Sequence, residues 1–407
     1  LQWVQGIVNN NVSFREWLRA GGNTAEIKKV RIIIPQGTYY INSALELDSD
    51  TEIVAESGAV VHLQQEETVF AKHGDGINFR LEGGTWTGDG KSCLVFEVAG
   101  NVELADMVFD GIALDLHEAS GENAGNSADA SGSNTKISGC TINGGEFGFG
   151  IRIRDSFSNV SVENNKLNNV SGNGILVTGA NCTVKGNTIE GTNGNAAVYV
   201  ENTRNFTADS NTVTNTSGRG ILAVNTNGVT VTGNKIKKSS KEGIAVVSGC
   251  TGQVRIEGNT VEESGMQNIS VAGGSPCTIK GNSMMNGSNM GLYVEGIQNA
   301  SVENNTITGN ALQGIVIYRS ADAKVTDNRV MNNKSDGILI HTASDKPKVR
   351  QNTVTDNSGD GIKTDGISAP EVAENTVRSN NIGIYICRCG DSLINGNTTE
   401  TNRNKGI

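Results

Sequence analysis

Through the last two thirds of this 407-residue chain, apolar and polar side chains alternate in short bursts, and an Asn recurs every 22 to 25 residues. The series is Asn165, Asn187, Asn211, Asn234, Asn259, Asn282, Asn305, Asn328, Asn352, Asn375 and Asn397. Each Asn sits in the same local pattern, as in VSVENNKLNNVSGNGILV (160–177) and ASVENNTITGNALQGIVI (300–317). Period-two alternation broken by Gly and Asn turns predicts three short strands per repeat. A fixed period of this length predicts one supersecondary unit stacked many times. The fold class is therefore all-β: a single-stranded parallel β-helix, a solenoid of about 15 coils, each about 4.8 Å above the last. Stacked identical Asn side chains are expected to bond along the axis as an amide ladder.

The same pattern divides the chain, read as one domain over 1–407, into three stretches. Residues 1–40 read as an N-terminal cap and first strands. Ser13 and Glu16 make a capping box ahead of Trp17 and Leu18, with Gly21-Gly22 as the stop, so a short helix over 13–19 is expected to cover the first coil. Residues 41–134 read as irregular coils. Their segment 119–134 is too polar and Gly-rich to pack and is expected to leave the solenoid as a long loop, able to wall a binding face. Residues 135–407 read as regular coils. The chain stops at Gly406-Ile407, where the next Gly-Ile strand would begin, so further coils or a homo-oligomer are expected to cover that open end.

Composition narrows the partners. Low aromatic content (4%), 52 glycines and four prolines suit thin coils filled by Val, Ile and Leu. A net charge of −10 argues against nucleic acid, without excluding a polyanionic glycan in a local basic cleft. Seven cysteines show no paired spacing, and Cys182 and Cys277 fall at inward positions as small hydrophobes. Nothing reads as a membrane span. Leu1 follows no signal peptide, which suggests a trimmed chain from the extracellular space or cell envelope. No cofactor is predicted. The four histidines lack ligand spacing, and a Ca²⁺ ion held by loop carboxylates has no motif behind it.

The capped start, IIIPQGTYY (32–40), GGTWTGDG (83–90) and the Asn-centred repeat resemble the right-handed parallel β-helix superfamily of pectate lyases, polygalacturonases, alginate epimerases and phage tailspikes. The resemblance covers the whole chain and implies a right-handed coil and a polysaccharide substrate. Asp115-Leu-His117-Glu118 is similar to the Asp-Pro-His-Glu stretch of alginate C5-epimerases, which implies groove roles for Asp115 and His117. Leu116 stands where that family has Pro, and Ile112 where it has Tyr.

Registering the coils on their Gly-Ile strand puts Ile175 and Val177 inside and Leu176 and Thr178 outside. One outward column then runs from Asp115 through Arg154, Thr178 and Glu201 to Glu295, Tyr318, His341, Asp365 and Cys387. Its companion runs from Ala113 through Arg152, Leu176 and Tyr199 to Tyr293, Leu339, Lys363 and Tyr385. Two polar patches flank an apolar middle. The other faces carry Thr, Lys and an alternating charge series (Glu163, Lys185, Asp209, Glu257, Lys280, Glu303), the pattern of a solvated surface.

The first patch joins Asp115, His117 and Glu118 to Arg152 and Arg154, with Glu146, Asp155, Tyr199 and Glu201 as substrate contacts. Abstracting the C5 proton of a uronate needs a base, an acid and a cation for the carboxylate. His117 is placed as base and Arg152 or Arg154 on the carboxylate. The competing reading is a surface ion pair between Asp115 and Arg154. The second patch sets Tyr318, His341 and Asp365 in successive coils beside Glu295, Arg319, Lys363, Tyr293 and Tyr385. There His341 is the base, oriented by Asp365 and opposed by Tyr318, and its competing reading is chance register. The first patch ranks ahead because only it lies beside a long loop. Together these features predict a lyase or C5-epimerase. The alternatives are a glycoside hydrolase with paired carboxylates, drawn from the first patch, and a non-catalytic glycan-binding or structural rod.

Overall fold

The residue ahead of each ladder Asn takes a left-handed backbone: φ is 54° at Asn164, 64° at Gly281 and 54° at Asn304. That conformation is costly for most L-residues and tolerable for Gly, Asn and Asp. It ends one strand, reverses the side-chain parity and starts the next. The Asn and Gly richness of the repeat is thus a backbone requirement.

The computed structural model describes residues 29–47, 50–72, 78–97, 101–116, 134–247, 249–274 and 276–407. Among them there is no helix; the architecture is an all-β parallel solenoid of about 15 coils. The expected helix over 13–19 and all of the expected loop 119–134 except Asn134 lie outside the described residues. The chain divides into two units, Leu1–Gly194 and Asn195–Ile407.

In the first unit a regular coil consists of Ser161–Glu163, Lys166–Asn168 and Asn173–Val177. Val162 pairs in parallel with Val184, Leu167 with Ile189, and Ile175 with Ile151. Inward residues of all three strands are fully buried, so the core is a stack of thin aliphatic layers. Within 41–134, expected to hold irregular coils, the described residues combine short strands such as Leu45–Leu47 and Val102–Ala105 with long ones, Asp50–Leu63 and Phe79–Glu97, that bend through more than one face. They stay in register (Ile53 with Leu81, Val61 with Trp86) on either side of a shift between Ala55 and Val60. GGTWTGDG makes that bend: a Cβ on Gly83 would lie 2.4 Å from the Ala55 carbonyl oxygen, and the buried Trp86 indole donates to Gly83 O at 3.2 Å.

In the second unit the Asn series forms the expected ladder. The backbone N–H and the Nδ2 of Asn234 both donate to Asn259 Oδ1 at 2.9 Å, and Asn259 repeats both contacts onto Asn282. Each Nδ2 also donates to a carbonyl of an adjoining coil, as Asn259 does to Val231 O. In the first unit Asn165 and Asn187 make the same contacts. A second ladder, Asn310, Asn333, Asn357, Asn380 and Asn402, runs at the next turn of the second unit. Sequence reading missed it, although its second Asn is visible in the repeat. Its start shows how strict the bonding is: Gly287 has no side chain to offer, and the Nδ2 of Asn268 takes the vacated place on Asn310 Oδ1 at 2.8 Å.

Replacing Asn259 with Ala takes the acceptor from the buried Asn234 N–H and a donor from Val231 O, while the Asn234 amide keeps Ala208 O and Thr232 O. A buried orphan costs about 1–3 kcal/mol, so N259A should lower the urea midpoint by a shift equivalent to about 2 kcal/mol. An unchanged midpoint would show that the ladder is not a stabilising element.

Candidate functional site

Among the described residues, the outward positions of the Gly-Ile strands change in chemistry from coil to coil within each unit. In the first unit its centre is Asp115, on Val108–Leu116. This strand alternates Leu114 and Leu116 inward with Ala113 and Asp115 outward, yet Asp115 is only 2% exposed. It lies among outward-facing Cys93, Val95, Ala113 and Phe149, which are also buried, with Phe147 and Leu176 packed on them.

Two guanidiniums clamp this carboxylate. Arg152 Nε donates to Oδ1 at 2.8 Å, with a second, shorter bond from Nη2 to Oδ2. Arg154 donates to the same two oxygens at 3.2 and 2.7 Å. Arg152 is also fixed from one side, its guanidinium carbon 4.2 Å from the centre of the Phe149 ring. Burial alone pushes the Asp115 carboxyl up, and the two arginines together more than reverse it, so the group is held below the usual carboxylate range.

The register corrects the sequence reading. Asp115 pairs with Arg152, and Ile151 with Leu114, so Asp115 belongs to the Arg152 column and not to that of Arg154. The reason is Gly111. It takes φ 67° at a bend inside the Val108–Leu116 strand, so Gly111-Ile112 is not the Gly-Ile that opens the inward strand, and counting from it displaces the column by two residues. Of the other first-patch residues, His117 and Glu118 lie outside the described residues. Glu146 is exposed, its backbone N–H bonded to Gly90 O and its carboxylate 3.9 Å from Lys91 Nζ. Asp155 is exposed at a turn. Tyr199 and Glu201 belong to the second unit, where the phenol donates to the carboxylate at 2.6 Å.

In the second unit the register matches expectation: Tyr293 pairs with Val316, Glu295 with Tyr318, Tyr318 with His341, His341 with Asp365, and Lys363 with Tyr385. Tyr293, Tyr318 and His341 form a row of rings, with centroids 6.4 Å apart at 24° and then 5.0 Å apart at 36°. Arg319 lies 4.8 Å over the Tyr318 ring and Lys363 5.5 Å over Tyr385, so cation–π contacts hold both cations on this face. Partial burial lowers the His341 pKa; Asp365 opposes that shift and Lys363 reinforces it. His341 Nδ1 sits 3.2 Å from Thr342 Oγ1. Asp365 does not hydrogen-bond the imidazole as expected; its oxygens are taken by Arg388, at 2.8 and 2.9 Å. Arg388 reaches there from a left-handed turn position (φ 52°) that recurs at the coil period, at Arg319, Thr342 and Gly366 in the coils before it. Glu295 accepts from Tyr293 at 3.1 Å, and burial and that carboxylate push the phenol up to about 12. The Tyr-x-Glu spacing, legible in the sequence as two residues on one face, was the overlooked signal here.

Among the described residues no group of His, Cys, Asp and Glu is arranged to hold a metal ion, and no helix is long and apolar enough to cross a membrane. All seven cysteines are free thiols; burial pushes Cys182 and Cys277 up to about 12, so both are inert core residues.

The family model described as "Right handed beta helix region" matches residues 69–236, 220–377 and 268–407. No curated protein matches the chain. Among solved structures, the periplasmic alginate epimerase AlgG is similar at 13% identity over 94% of this chain and 83% of its own, with a TM-score of 0.44. The A-module of the Azotobacter vinelandii mannuronan C-5 epimerase AlgE4 is similar at 14% identity over 99% of this chain and 94% of its own, with a TM-score of 0.40. A tailspike protein of E. coli bacteriophage HK620 is similar at 12% identity over 96% and 80%, with a TM-score of 0.41.

Asp115→Asn would leave two guanidiniums facing one neutral amide. Removing one partner of a buried ion pair costs about 3–5 kcal/mol; with both arginines partly solvated, a loss of about 3 kcal/mol is expected. The sign follows from the depressed carboxyl. Its stabilisation is complete above the unfolded-state value of about 3.9 and is lost as pH falls through the lower folded-state pKa. Urea titrations of wild type and D115N should therefore diverge at neutral pH and converge in acid. A gap that persists in acid would locate the effect in packing instead of charge.

Proposed function

The chain belongs to the right-handed beta helix family, and on that scaffold we propose that it acts on a polysaccharide, as a lyase or C5-epimerase that removes a proton from a uronate ring. The observation that carries this reading is the His341 row. A half-buried imidazole, kept neutral by its surroundings, lies against Tyr318 and between two cations pinned to the same face. A neutral imidazole is the protonation state a general base needs. The tyrosine rings of the row offer platforms for sugar rings.

In this reading His341 accepts the C5 proton as the C5–H pair moves toward the ring's carboxylate. Lys363 and Arg319 stabilise the negative charge that accumulates there. Tyr318 stands on the neighbouring coil as proton donor, to the leaving oxygen at C4 for elimination or to C5 from the opposite face for epimerisation. A hydrolase built on Glu295 and Asp365 is a poorer fit. The two are three coils apart, roughly 14 Å at the usual strand spacing, wider than either glycosidase arrangement. Both also have partners already, Tyr293 and Arg388. Asp115 is assigned here as the anchor of Arg152 and Arg154, because a carboxylate held by four hydrogen bonds and 2% exposed has no free face for a substrate proton. We place the protein's work outside the cell or in its envelope, where such glycans are met.

A panel of polyuronates, read by ultraviolet absorbance for unsaturated ends and by proton NMR for epimerised residues, tests the reading. His341→Ala should lower turnover at least about 10²-fold, the lower end for losing a positioned acid–base group. Because burial disfavours the imidazolium, the rate should hold as pH falls through about 6.5, the ordinary histidine value, and decline only below it. Full turnover by H341A would move the chemistry elsewhere on the chain.

A further inference from the structure

The second Asn ladder begins abruptly. Turn carbonyls bonded from coil to coil continue its column past its first Asn: Ser264 O accepts from Ser288 N–H, Gly287 O from Ala311 N–H, and Asn310 O from Lys334 N–H. Ser264 and Gly287 therefore stand in register with Asn310. Within the ladder, the backbone N–H at this position donates to the amide oxygen of the following coil, as Asn310 N–H does to Asn333 Oδ1 and Gly287 N–H to Asn310 Oδ1. The residue due to accept from Ser264 N–H is Gly287, which has no side chain, and none of the described residues accepts from it.

Two side-chain oxygens share that condition. Ser264 Oγ and Asn268 Oδ1 are buried without a hydrogen-bond partner among the described residues, and both residues are 0% exposed. They border the same glycines: a Cβ on Gly243 would lie 3.0 Å from Ser264 Oγ and 2.7 Å from Asn268 O, and one on Gly287 3.1 Å from Asn268 Oδ1. Asn268 itself is an exchange. Elsewhere Gly opens the strand because the ladder amide lies where a Cβ would be, 2.8 Å away at Gly291 and 2.9 Å at Gly314. Here the Gly sits in the ladder position and the Asn at the strand opening. Asn268 Nδ2 thereby reaches Asn310 Oδ1, but its Oδ1 does not take the Ser264 N–H.

We propose that one buried water molecule completes the ladder at the Ser264 coil, accepting from Ser264 N–H, donating to Asn268 Oδ1, and bonded to Ser264 Oγ as its third partner. Buried polar groups are paired with protein or with ordered water, and three partners are what a buried water ordinarily has. The chemistry of the set selects the ligand. A cation would face the N–H, and an anion would face the amide oxygen; only a molecule that both donates and accepts satisfies all three groups. A Ser where the ladder has Asn also leaves out an amide's outer atoms, about the room that one water needs. Water thus stands in for the side chain that the repeat lacks at this coil.

A high-resolution crystal structure of the wild-type chain should show a water within hydrogen-bond distance of Ser264 N and Asn268 Oδ1. In solution, oxygen-17 relaxation dispersion counts long-lived internal waters. The double variant Asn268→Gly, Gly287→Asn restores the repeat's own residues at both places and gives Ser264 N–H an amide oxygen, so that count should fall by one. Ser264→Ala, which keeps the N–H and Asn268 Oδ1, should retain the water. Thermal melting checks that the variants are folded, and if the double variant is not, the wild-type crystal structure decides. No ordered density between Ser264 and Asn268, an ion in its place, or an unchanged water count in the folded double variant would each overturn the proposal.

Discussion

A left-handed residue followed by a buried Asn is the constraint on which each coil depends. The bend at Asn164, Gly281 or Asn304 leaves backbone donors and acceptors inside the solenoid, where water does not reach them. The next Asn answers both: its Oδ1 accepts from the coil before, and its Nδ2 donates to a carbonyl of an adjoining coil and to the following Asn. Buried polar groups must be satisfied, and an amide supplies two donors and a two-lone-pair acceptor in one side chain. The fixed turn then sets strand parity, and parity decides which side chains fill the core and which reach a ligand.

Because the scaffold is periodic, departures from the period carry the information. Three kinds of departure appear at outward positions: in the first unit a buried carboxylate clamped by two arginines, and in the second a row of rings ending at an imidazole and an apolar cluster of Leu222 and Ala245 covered by Tyr199, Val224 and Val247. Each is an expensive or unusual arrangement for an otherwise Thr- and Lys-rich surface. The clamp is structural in character, since it saturates its carboxylate. The ring row has unsaturated groups, a neutral imidazole and cations with accessible faces, and so has chemistry to offer.

Sequence reading reached the second-unit face almost unchanged. Strand alternation and a constant period fix which residues stack, and the observed pairs Tyr318–His341 and His341–Asp365 are those counted from the repeat. It went wrong at Asp115, where Gly111 mimics the Gly-Ile marker but is a left-handed bend within the strand. It also passed over the second Asn ladder, because the residues that begin it, Gly287 with Asn268 in support, do not repeat the motif.

Fold class, coil period, the inward and outward faces and the ring column can all be counted from the residues, because each follows from local parity repeated many times. The pairing of the charges came from contacts between coils. Arg388 takes Asp365 away from His341, Arg152 and Arg154 together saturate Asp115, and Tyr199, Val224 and Val247 cover Leu222 and Ala245. These outcomes depend on side-chain reach across coils and on what covers a face. Periodicity fixes where a Cα lies, but not which of several partners within reach a long flexible side chain will bind.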